Sequence, residues 1–492
     1  MKRFNNKLLR KIVYIIQILM TLAFLAMTYS IKFIPMKYIL IIGVILVALL
    51  IGEYFLIFYK KEKSKRSYIT QGLSVVLSVL LTVGSFYVYK AGRTVDLLAT
   101  NSFQKRAISV IVLKDSSIKN ETQLHAHTLG YVSKIDESTM KYTTDEIQKE
   151  LGTMTLKDVA DFSTLQKALY NKEIDAIILD EAFRSLLVQE KETFTEDTRV
   201  IYQVTKDEIP VNAKNVDVTT KPFLVYISGI DEYGDLSTVS RSDVNMLAAI
   251  NPTTKQILLI SIPRDTYYPL HKNGQLDKFT HTGLYGLDES INTLQDMLSE
   301  EINYYVRMNF TSFVDIVDAL GGISVYSPYA FKTVKGNYDI VKGYNDLNAK
   351  QALSFVRERK RLPAGDFDRG KNQQRMISAI VKKVASPAIL TSFSAVLDTI
   401  GKSIETNMDT EQMNALVQMQ LEKMPNWDIQ SYQISGTPKS AMCYSSGTAL
   451  ASVVEPSKES IEKARKYIDQ LIANQTVKTD EGDLNQKSED KK

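Results

Sequence analysis

The stretch DVNMLAAINPTTKQILLISIPRD, residues 243–265, contains two apolar runs separated by NPTT, a tetrapeptide typical of a hairpin turn. A third apolar run, FLVYISGID, precedes it at 223–231. We predict strands at 223–231, 243–250 and 255–265, with the second and third strands paired antiparallel. This pairing places the end of the third strand beside the start of the second.

Charged residues lie at the strand ends that this pairing brings together. Asp231 ends the first strand, Arg241 and Asp243 begin the second, and Arg264 and Asp265 end the third. If the first two strands are also antiparallel, two or three carboxylates meet two arginines at one edge, where they suit Mg²⁺ and a phosphate. The alternative is a set of ordinary polar strand ends. The arginines disfavour acid catalysis on a glycosidic bond, because they keep carboxylates ionised.

A second cluster of positive charge lies in SFVRERKRLPAGDFDRGKNQQR, residues 354–375. Arg357 and Arg359 follow a predicted helix and share one face of an extended chain. After a loop with Pro and Gly, Arg369 and Gln373 lie four apart in the first turns of the next helix, where free N–H groups attract anions. Because arginine donates two hydrogen bonds to one phosphate, these residues predict a phosphate-binding site.

Three apolar stretches near the N-terminus, 12–33, 36–60 and 70–91, each have the length of a membrane-spanning helix. The segments 1–11 and 61–69 are basic, which predicts that both are cytoplasmic. Everything after the third span is then extracellular, and the cytoplasmic parts are too short for a helix-turn-helix domain. The alternative, three buried core helices, disagrees with apolar runs of this length.

The predicted location narrows the choice of anion. The sequence contains no G-x-x-x-x-G-K-[ST] loop, and ATP is scarce outside a membrane. A pyrophosphate or phosphodiester of a lipid-linked sugar is therefore the expected ligand. Lys360, Arg361 and Arg375 are predicted to be solvated or at the rim. The alternative is a basic face that touches anionic lipid headgroups.

The extracellular part divides into two α/β domains and a tail. Short apolar strands alternate with amphipathic helices in 100–212, which predicts a small α/β accessory domain. The same alternation over 223–473 predicts an α/β/α domain with a central mixed sheet and helices on both faces. The tail 474–492 is polar with almost nothing to bury, and is predicted to be disordered.

The composition argues against several classes of function. The net charge of +4 over 492 residues is too small to indicate nucleic-acid binding, so no nucleic-acid partner is expected. Cys443 is the single cysteine of the sequence. Neither an intrachain disulfide nor a C-x-x-C metal or redox motif can therefore form.

Four motifs resemble the LytR-CpsA-Psr family over residues 223–385. They are GID (229–231), SRSDVNMLAAINPTTKQILLISIPRD (240–265), FVDIVDALGGISV (313–325) and LNAKQALSFVRERKRLPAGDFDRGKNQQR (347–375). The three spans and the accessory domain are similar to those of the capsule members of the family. The sequence departs from the usual Gly-Gly of the family at Tyr285-Gly286, which leaves the shape of the loop over the site open.

The resemblance implies a multi-pass phosphotransferase of the cell membrane that moves a capsular or wall glycan from a polyprenyl-pyrophosphate carrier to peptidoglycan. It implies Mg²⁺ bound by Asp231 and Asp243, and a lipid tail in an apolar cleft of the domain. It also implies a set of residues around the pyrophosphate, namely Arg241, Arg264, Arg357, Arg359, Arg369 and Gln373. Other membrane proteins of capsule assembly are further expected partners.

In the expected mechanism, a sugar hydroxyl of peptidoglycan attacks the phosphorus nearer the glycan. Arg264 stabilises the developing charge, and either a carboxylate near the metal or Asp265 accepts the proton. Two alternatives stay open. A membrane sensor would bind the same lipid-linked glycan and regulate capsule synthesis, and a hydrolase would use water as the acceptor.

Overall fold

A computed structural model describes residues 6–59, 65–98, 105–208, 211–230, 239–387, 393–447 and 449–485. The helices are α1 (Asn6–Ser30), α2 (Met36–Phe58), α3 (Lys65–Leu98), α4 (Glu137–Leu151), α5 (Phe162–Tyr170), α6 (Arg184–Glu190), α7 (Phe194–Asp197), α8 (Phe279–Thr282), α9 (Leu287–Leu298), α10 (Phe310–Ala319), α11 (Ala349–Arg357), α12 (Asp366–Val384), α13 (Phe393–Ser403), α14 (Thr410–Lys423) and α15 (Lys458–Ile472). The strands are β1 (Lys105–Leu113), β2 (Thr128–Tyr131), β3 (Thr155–Asp158), β4 (Ala176–Asp180), β5 (Thr198–Asp207), β6 (Phe223–Ile230), β7 (Ser242–Asn251), β8 (Gln256–Ser261), β9 (Tyr267–Pro269), β10 (Leu276–Lys278), β11 (Tyr304–Met308), β12 (Ile323–Ser327), β13 (Phe331–Lys332), β14 (Asp339–Ile340), β15 (Gly343–Leu347), β16 (Glu405–Thr406), β17 (Asp428–Gln433), β18 (Gly436–Met442) and β19 (Leu450–Pro456).

Helices α1, α2 and α3 are long and apolar enough to cross a membrane over Leu8–Ser30, Met36–Phe58 and Ser67–Lys90. Most of their side chains are exposed in the protein, as expected for helices whose apolar surface faces lipid. Between α1 and α3, the hydroxyl of Ser78 donates a hydrogen bond of 2.5 Å to Gln17 Oε1. Polar contacts of this kind hold spans together, because lipid offers no hydrogen-bond partner.

The accessory domain contains a five-stranded sheet in the order β3-β2-β4-β1-β5. Alternate residues of β1 pack on opposite faces, with Val110 in one apolar cluster and Ile111 in the other. Arg106 at the start of β1 is buried, and it pairs with Asp180 and Glu208 at 2.5 Å each. The two carboxylates compensate the cost of burying this guanidinium.

The larger domain contains a six-stranded mixed sheet in the order β16-β11-β6-β7-β8-β17. Strands β6, β7 and β8 are antiparallel neighbours, which confirms the predicted hairpin, and Asn251 lies opposite Gln256 beside its turn. Strands β11 and β17 join the sheet in parallel pairings. Because β7 and β8 are antiparallel neighbours, the start of β7 and the end of β8 lie side by side at one end of the sheet.

Helices cover both faces of this sheet, which confirms the α/β/α prediction. Leu247 packs among residues of α9 and α15, whereas Met246 packs among residues of α12 and α14. Both side chains are fully buried. Burial of a side chain of this size contributes about 1.5–3 kcal/mol, so the alternating strand residues stabilise both layers.

The larger domain also contacts the ends of the spans. Lys90 on α3 pairs with Asp398 on α13 at 3.3 Å. The hydroxyl of Tyr38 at the start of α2 donates to the carbonyl of Leu421 on α14 over 3.0 Å. These contacts seat the domain directly against the ends of α2 and α3.

The prediction of a disordered tail is wrong for residues 474–485. Val477 is fully buried, and its N–H donates to Gln256 Oε1 over 2.9 Å. The hydroxyl of Thr479 donates to the carbonyl of Ser431 on β17 over 2.7 Å. The prediction from composition missed this packing, because polar groups of the domain accept or donate the hydrogen bonds of these tail residues. The rest of the predicted tail lies outside the described residues.

Candidate functional site

A cavity of about 460 Å³ lies between the ends of β6, β7 and β11 and the helices α10, α11 and α12. Seven basic side chains and two carboxylates line its polar part: Arg241, Arg264, Lys335, Arg357, Arg359, Lys360, Arg369, Asp243 and Glu358. Its apolar part contains Ile227, Ile230, Val244, Met308, Phe310, Phe313, Leu353, Val356, Met376 and Ile377. On α12 the lining changes from Arg369 to Met376, roughly 10 Å along the helix axis, so the two parts lie at different depths.

The hairpin register brings Asp243 and Arg264 together. Met246 lies opposite Ser261, and extending both strands outward by the same number of residues places Asp243 opposite Arg264. Arg264 Nη1 donates to Asp243 Oδ2 over 2.7 Å. The structure therefore joins two residues that the sequence predicted at one edge of the sheet.

Asp243 is ionised within this arrangement. Burial raises the pKa of Asp243, but the charges of Arg264, Arg369 and Arg241 outweigh burial and hold the pKa below its ordinary value. The hydroxyl of Thr280 donates to its other oxygen over 3.1 Å. A carboxylate of this kind is a poor proton donor and a suitable oxygen ligand for a hard cation.

Arg369 is largely enclosed, with 8% of its surface exposed. Its Nη2 lies 2.8 Å from Asp366 Oδ1, while its buried Nε has no hydrogen-bond partner among the described residues. Burial lowers the pKa of Arg369 although Asp366 opposes the shift, and burial raises the pKa of Asp366. A buried donor without an acceptor costs about 1–3 kcal/mol.

The remaining predicted anion-binding residues come from α11, α12 and the turn after α11. The guanidinium of Arg357 lies over the ring of Phe310, 3.9 Å from its centroid. Arg359 is exposed where it lines the cavity. Gln373 Nε2 donates to the carbonyl of Val356 over 3.4 Å, which connects α12 with α11. The structure thus brings the predicted anion-binding arginines of both sequence clusters to one cavity, namely Arg241, Arg264, Arg357, Arg359 and Arg369.

Glu358 is a cavity residue that sequence reasoning missed. It is buried, and its Oε1 accepts the N–H groups of Arg359 and Arg361 at 2.9 and 3.1 Å. Its Oε2 accepts the N–H of Val334 at 2.6 Å. Glu358 therefore fixes the turn that presents the arginines. The available signal was one acidic residue between two arginines in RER.

Three other residues singled out in the sequence are not among the described residues that line the cavity, namely Asp265, Asp231 and Arg375. The carboxylate of Asp265 lies 2.9 Å from Lys278 Nζ, and Asp265 is not among the residues that line the cavity. Asp231 lies outside the described residues. The prediction that Arg375 is solvated or at the rim is wrong, since it is 6% exposed and its Nε donates to the carbonyl of Leu484. Its side chain projects from the face of α12 that packs against the C-terminal residues.

Tyr285-Gly286 lies at the interface between the domains. The ring of Tyr285 packs edge-on against Phe183 of the accessory domain at 5.6 Å between centroids. Arg106 Nη1 donates to the carbonyl of Leu284 over 3.3 Å, and Gly286 has a φ of +116°. The departure from the Gly-Gly of the family thus coincides with the contact that seats the accessory domain.

A buried network lies behind α8, the helix whose Thr280 donates to Asp243. Asp277, His281 and Cys443 place one potential ligand atom each within 4.8 Å of the others. Asp277 accepts from His281 Nδ1 at 2.7 Å and from the N–H of Ser445 at 2.8 Å. These groups satisfy one another, so the network holds α8 against the segment after β18.

We expect the thiol of Cys443 to be unreactive in the folded protein. Burial, with the negative charge of Asp277, raises the pKa of Cys443 to about 12, and the thiolate is the reactive form. Iodoacetamide should leave the folded chain unlabelled and should label the chain in urea, as measured by mass spectrometry. A Ser138→Cys variant supplies an exposed thiol as the control. Equal labelling rates at the two positions would contradict this burial.

Fold and cavity together define an α/β/α protein with three potential spans and a cavity suited to a ligand with an anionic head and an apolar tail. A sequence model described as the LytR_cpsA_psr family matches residues 186–467, more than half of the chain. The chain belongs to this family.

Two curated relatives illustrate the similarity. The polyisoprenyl-teichoic acid–peptidoglycan teichoic acid transferase TagU of Bacillus mycoides (strain KBAB4) is 39% identical over 195 residues, 39% of this chain and 63% of that protein. TagU of Bacillus subtilis (strain 168) is 32% identical over 273 residues, 52% of this chain and 81% of that protein. This chain thus spans less than two thirds of the length of the first relative. The crystal structure of B. subtilis TagV covers 52% of this chain and 99% of its own, with a TM-score of 0.44 and 27% identity.

Proposed function

We propose that this chain is a membrane-anchored phosphotransferase that moves a capsular or wall glycan from a polyprenyl-pyrophosphate carrier to peptidoglycan outside the cell. The cavity carries the proposal, because its arginine-rich part suits a pyrophosphate and its apolar part suits an isoprenoid chain. The names of the curated relatives, polyisoprenyl-teichoic acid–peptidoglycan teichoic acid transferases, support the same reaction class. The basic segments beside the spans support an extracellular cavity.

The arginines act by position and charge. Arg264, Arg357, Arg359 and Arg369 line the cavity and bind the pyrophosphate oxygens. Fixed positive charge in an enclosed site stabilises the charge that develops as the phosphoryl group is transferred. Glu358 holds the backbone of Arg359 in place, because its carboxylate accepts the N–H of Arg359.

The reaction exchanges the phosphoanhydride bond of the carrier for a phosphate ester bond to peptidoglycan. A sugar hydroxyl of peptidoglycan attacks the phosphorus nearer the glycan, and a new P–O bond forms. The bond from that phosphorus to the bridging oxygen breaks, and polyprenyl phosphate leaves with this oxygen. The hydroxyl proton passes to a carboxylate. The two candidate acceptors are Asp243 and Asp265. Asp243 lines the cavity, but the arginines that hold its pKa low make it a weak base, and Asp265 does not line the cavity.

Mg²⁺ suits the donor set around Asp243. The ionised carboxylate supplies the oxygen ligand that this ion prefers, and the hydroxyl of Thr280 lies beside it. Asp231, which the family resemblance makes the second ligand, follows β6 outside the described residues. A bound Mg²⁺ would neutralise charge on the pyrophosphate.

Transfer by the purified full chain in detergent tests the proposal. The donor is a synthetic polyprenyl-pyrophosphate disaccharide, and the acceptor is an uncrosslinked peptidoglycan fragment. We expect mass spectrometry to detect a glycan-phosphate-peptidoglycan adduct and one equivalent of polyprenyl phosphate, and EDTA to suppress both. The double variant Arg357→Ala/Arg359→Ala should form neither.

The same assay separates the alternatives. A hydrolase would release glycan phosphate when the peptidoglycan fragment is absent, and would form no adduct when the fragment is present. Binding of the donor without any turnover would favour a membrane sensor. Equal product from the double variant and the unchanged protein would contradict the assignment of the arginine site.

A further inference from the structure

The C-terminal strap, which we define as residues 474–485, runs along β17 and ends against α12. The N–H of Ser431 on β17 donates to the carbonyl of Gly482 over 2.9 Å, and the hydroxyl of Thr479 donates back to Ser431 over 2.7 Å. Gly482 has a φ of +61°, which favours glycine at this bend. The strap therefore covers an edge of the central sheet and then meets the helix that carries Arg369.

Helix α12 presents two different stripes of side chains. Arg369 and Gln373, four apart, line the cavity. Lys371, Arg375 and Lys382 follow one another at spacings of four and seven, so they form a separate stripe on the opposite side. Because both stripes belong to one helix, contacts that position the second stripe also position Arg369 and Gln373 in the cavity.

The strap binds the second stripe with charges of opposite sign and with backbone carbonyls. The contacts are Lys371 Nζ to Glu481 Oε1 at 2.9 Å, Lys382 Nζ to Asp483 Oδ2, and Arg375 Nε to the carbonyl of Leu484 at 3.3 Å. The side chain of Asp483 is 5% exposed. Solvent and salt screen a pair with such a buried carboxylate much less than an exposed pair.

Asn485 ends the strap in a buried set of hydrogen bonds. It is 6% exposed, and its Nδ2 donates to the carbonyl of Arg375 over 2.6 Å. Its Oδ1 accepts the N–H of Tyr326, and its backbone carbonyl accepts the hydroxyl of Tyr344. Asn485 thus joins α12 to β12 and β15.

Arg369 lies among charges of both signs, close to Asp366 and Asp243 and also to Arg264 and Arg359. Its place among these charges depends on the position of α12. We propose that the strap holds α12 in position for pyrophosphate binding, with Asp483 and Asn485 as positioning residues. This inference rests on the proposed function.

Two readouts of the full chain test the strap. Hydrogen exchange of residues 366–384 reports whether α12 is held, and calorimetric titration with inorganic pyrophosphate reports binding at the arginines. We expect Asp483→Asn and Asn485→Ala each to speed exchange in α12 and to weaken pyrophosphate binding about tenfold through misplaced donors. Asp480→Asn is the matched control, because Asp480 lies in the same strap but pairs with Lys463 on α15.

The outcomes test separately whether the strap positions α12 and whether the arginine site binds pyrophosphate. Recovery of binding in Asp483→Glu, with Asp480→Asn behaving like the unchanged chain, supports a positioning role. Unchanged exchange and binding in both variants, or an equal effect of Asp480→Asn, overturns it. If the unchanged chain binds pyrophosphate no better than Arg369→Ala, the arginine site and therefore this inference are overturned, whatever the exchange rates show.

Discussion

Arg369→Ala is expected to lower the rate of glycan transfer by roughly 10²–10³, the usual cost of removing a fixed donor from developing charge. Arg369 contributes an enclosed guanidinium whose Nε has no partner among the described residues. Arg369→Lys should recover little of this loss, because a single ammonium cannot donate two parallel hydrogen bonds to one phosphate.

Arg361→Ala supplies the matched control for Arg369. Arg361 belongs to the same arginine-rich stretch, but it is exposed and does not line the cavity. We expect transfer by Arg361→Ala to stay within about a factor of two, as for a surface substitution. Similar losses in both variants, measured as kcat/KM for the donor, would mean that general basicity rather than the cavity geometry matters.

Asp243→Asn should have an effect of comparable size. The substitution removes the carboxylate that pairs with Arg264 at 2.7 Å and lines the cavity. It would remove an oxygen ligand of the proposed Mg²⁺, so we expect transfer to fall by at least about a hundredfold. Titration of Mg²⁺ in the transfer assay should show no recovery at any concentration.

Asp265→Asn separates the two carboxylates that were proposed as proton acceptors. Asp265 pairs with Lys278 at 2.9 Å and is not among the cavity residues. We expect this variant to keep most of the transfer activity. The opposite ranking, with Asp243→Asn active and Asp265→Asn inactive at unchanged donor affinity, would assign the proton transfer to Asp265. Circular dichroism of both variants excludes loss of the fold as the cause.

Much of the fold followed from local patterns. The NPTT turn between two apolar runs predicted the β7-β8 hairpin, and the hairpin register places Asp243 opposite Arg264. The alternation of apolar residues on both faces of the strands predicted a sheet covered on both sides, as Met246 and Leu247 show. Such patterns are readable because strand and helix periods dictate which residues share a face.

Three features of the site were not predictable in this way. Glu358 could have been another solvated acid in a charged stretch, yet it binds the N–H of Val334 from a distant hairpin. Arg375 was predicted to be solvated or at the rim, yet it is buried and faces the strap. The packing of residues 474–485 depends on the buried Val477 and on polar partners in β8, β17 and α12, which the polar composition did not indicate.

The sequence by itself determined the three potential spans, the α/β class, the charged edge of the sheet and the identity of the arginines. Periodicity, apolar length and turn residues specify these features within short stretches of chain. The tertiary structure decided which arginine is enclosed, which carboxylate lines the cavity and what holds α12 from behind. Those outcomes depend on contacts between residues far apart in the sequence, and no local pattern encodes the partner of a buried polar group.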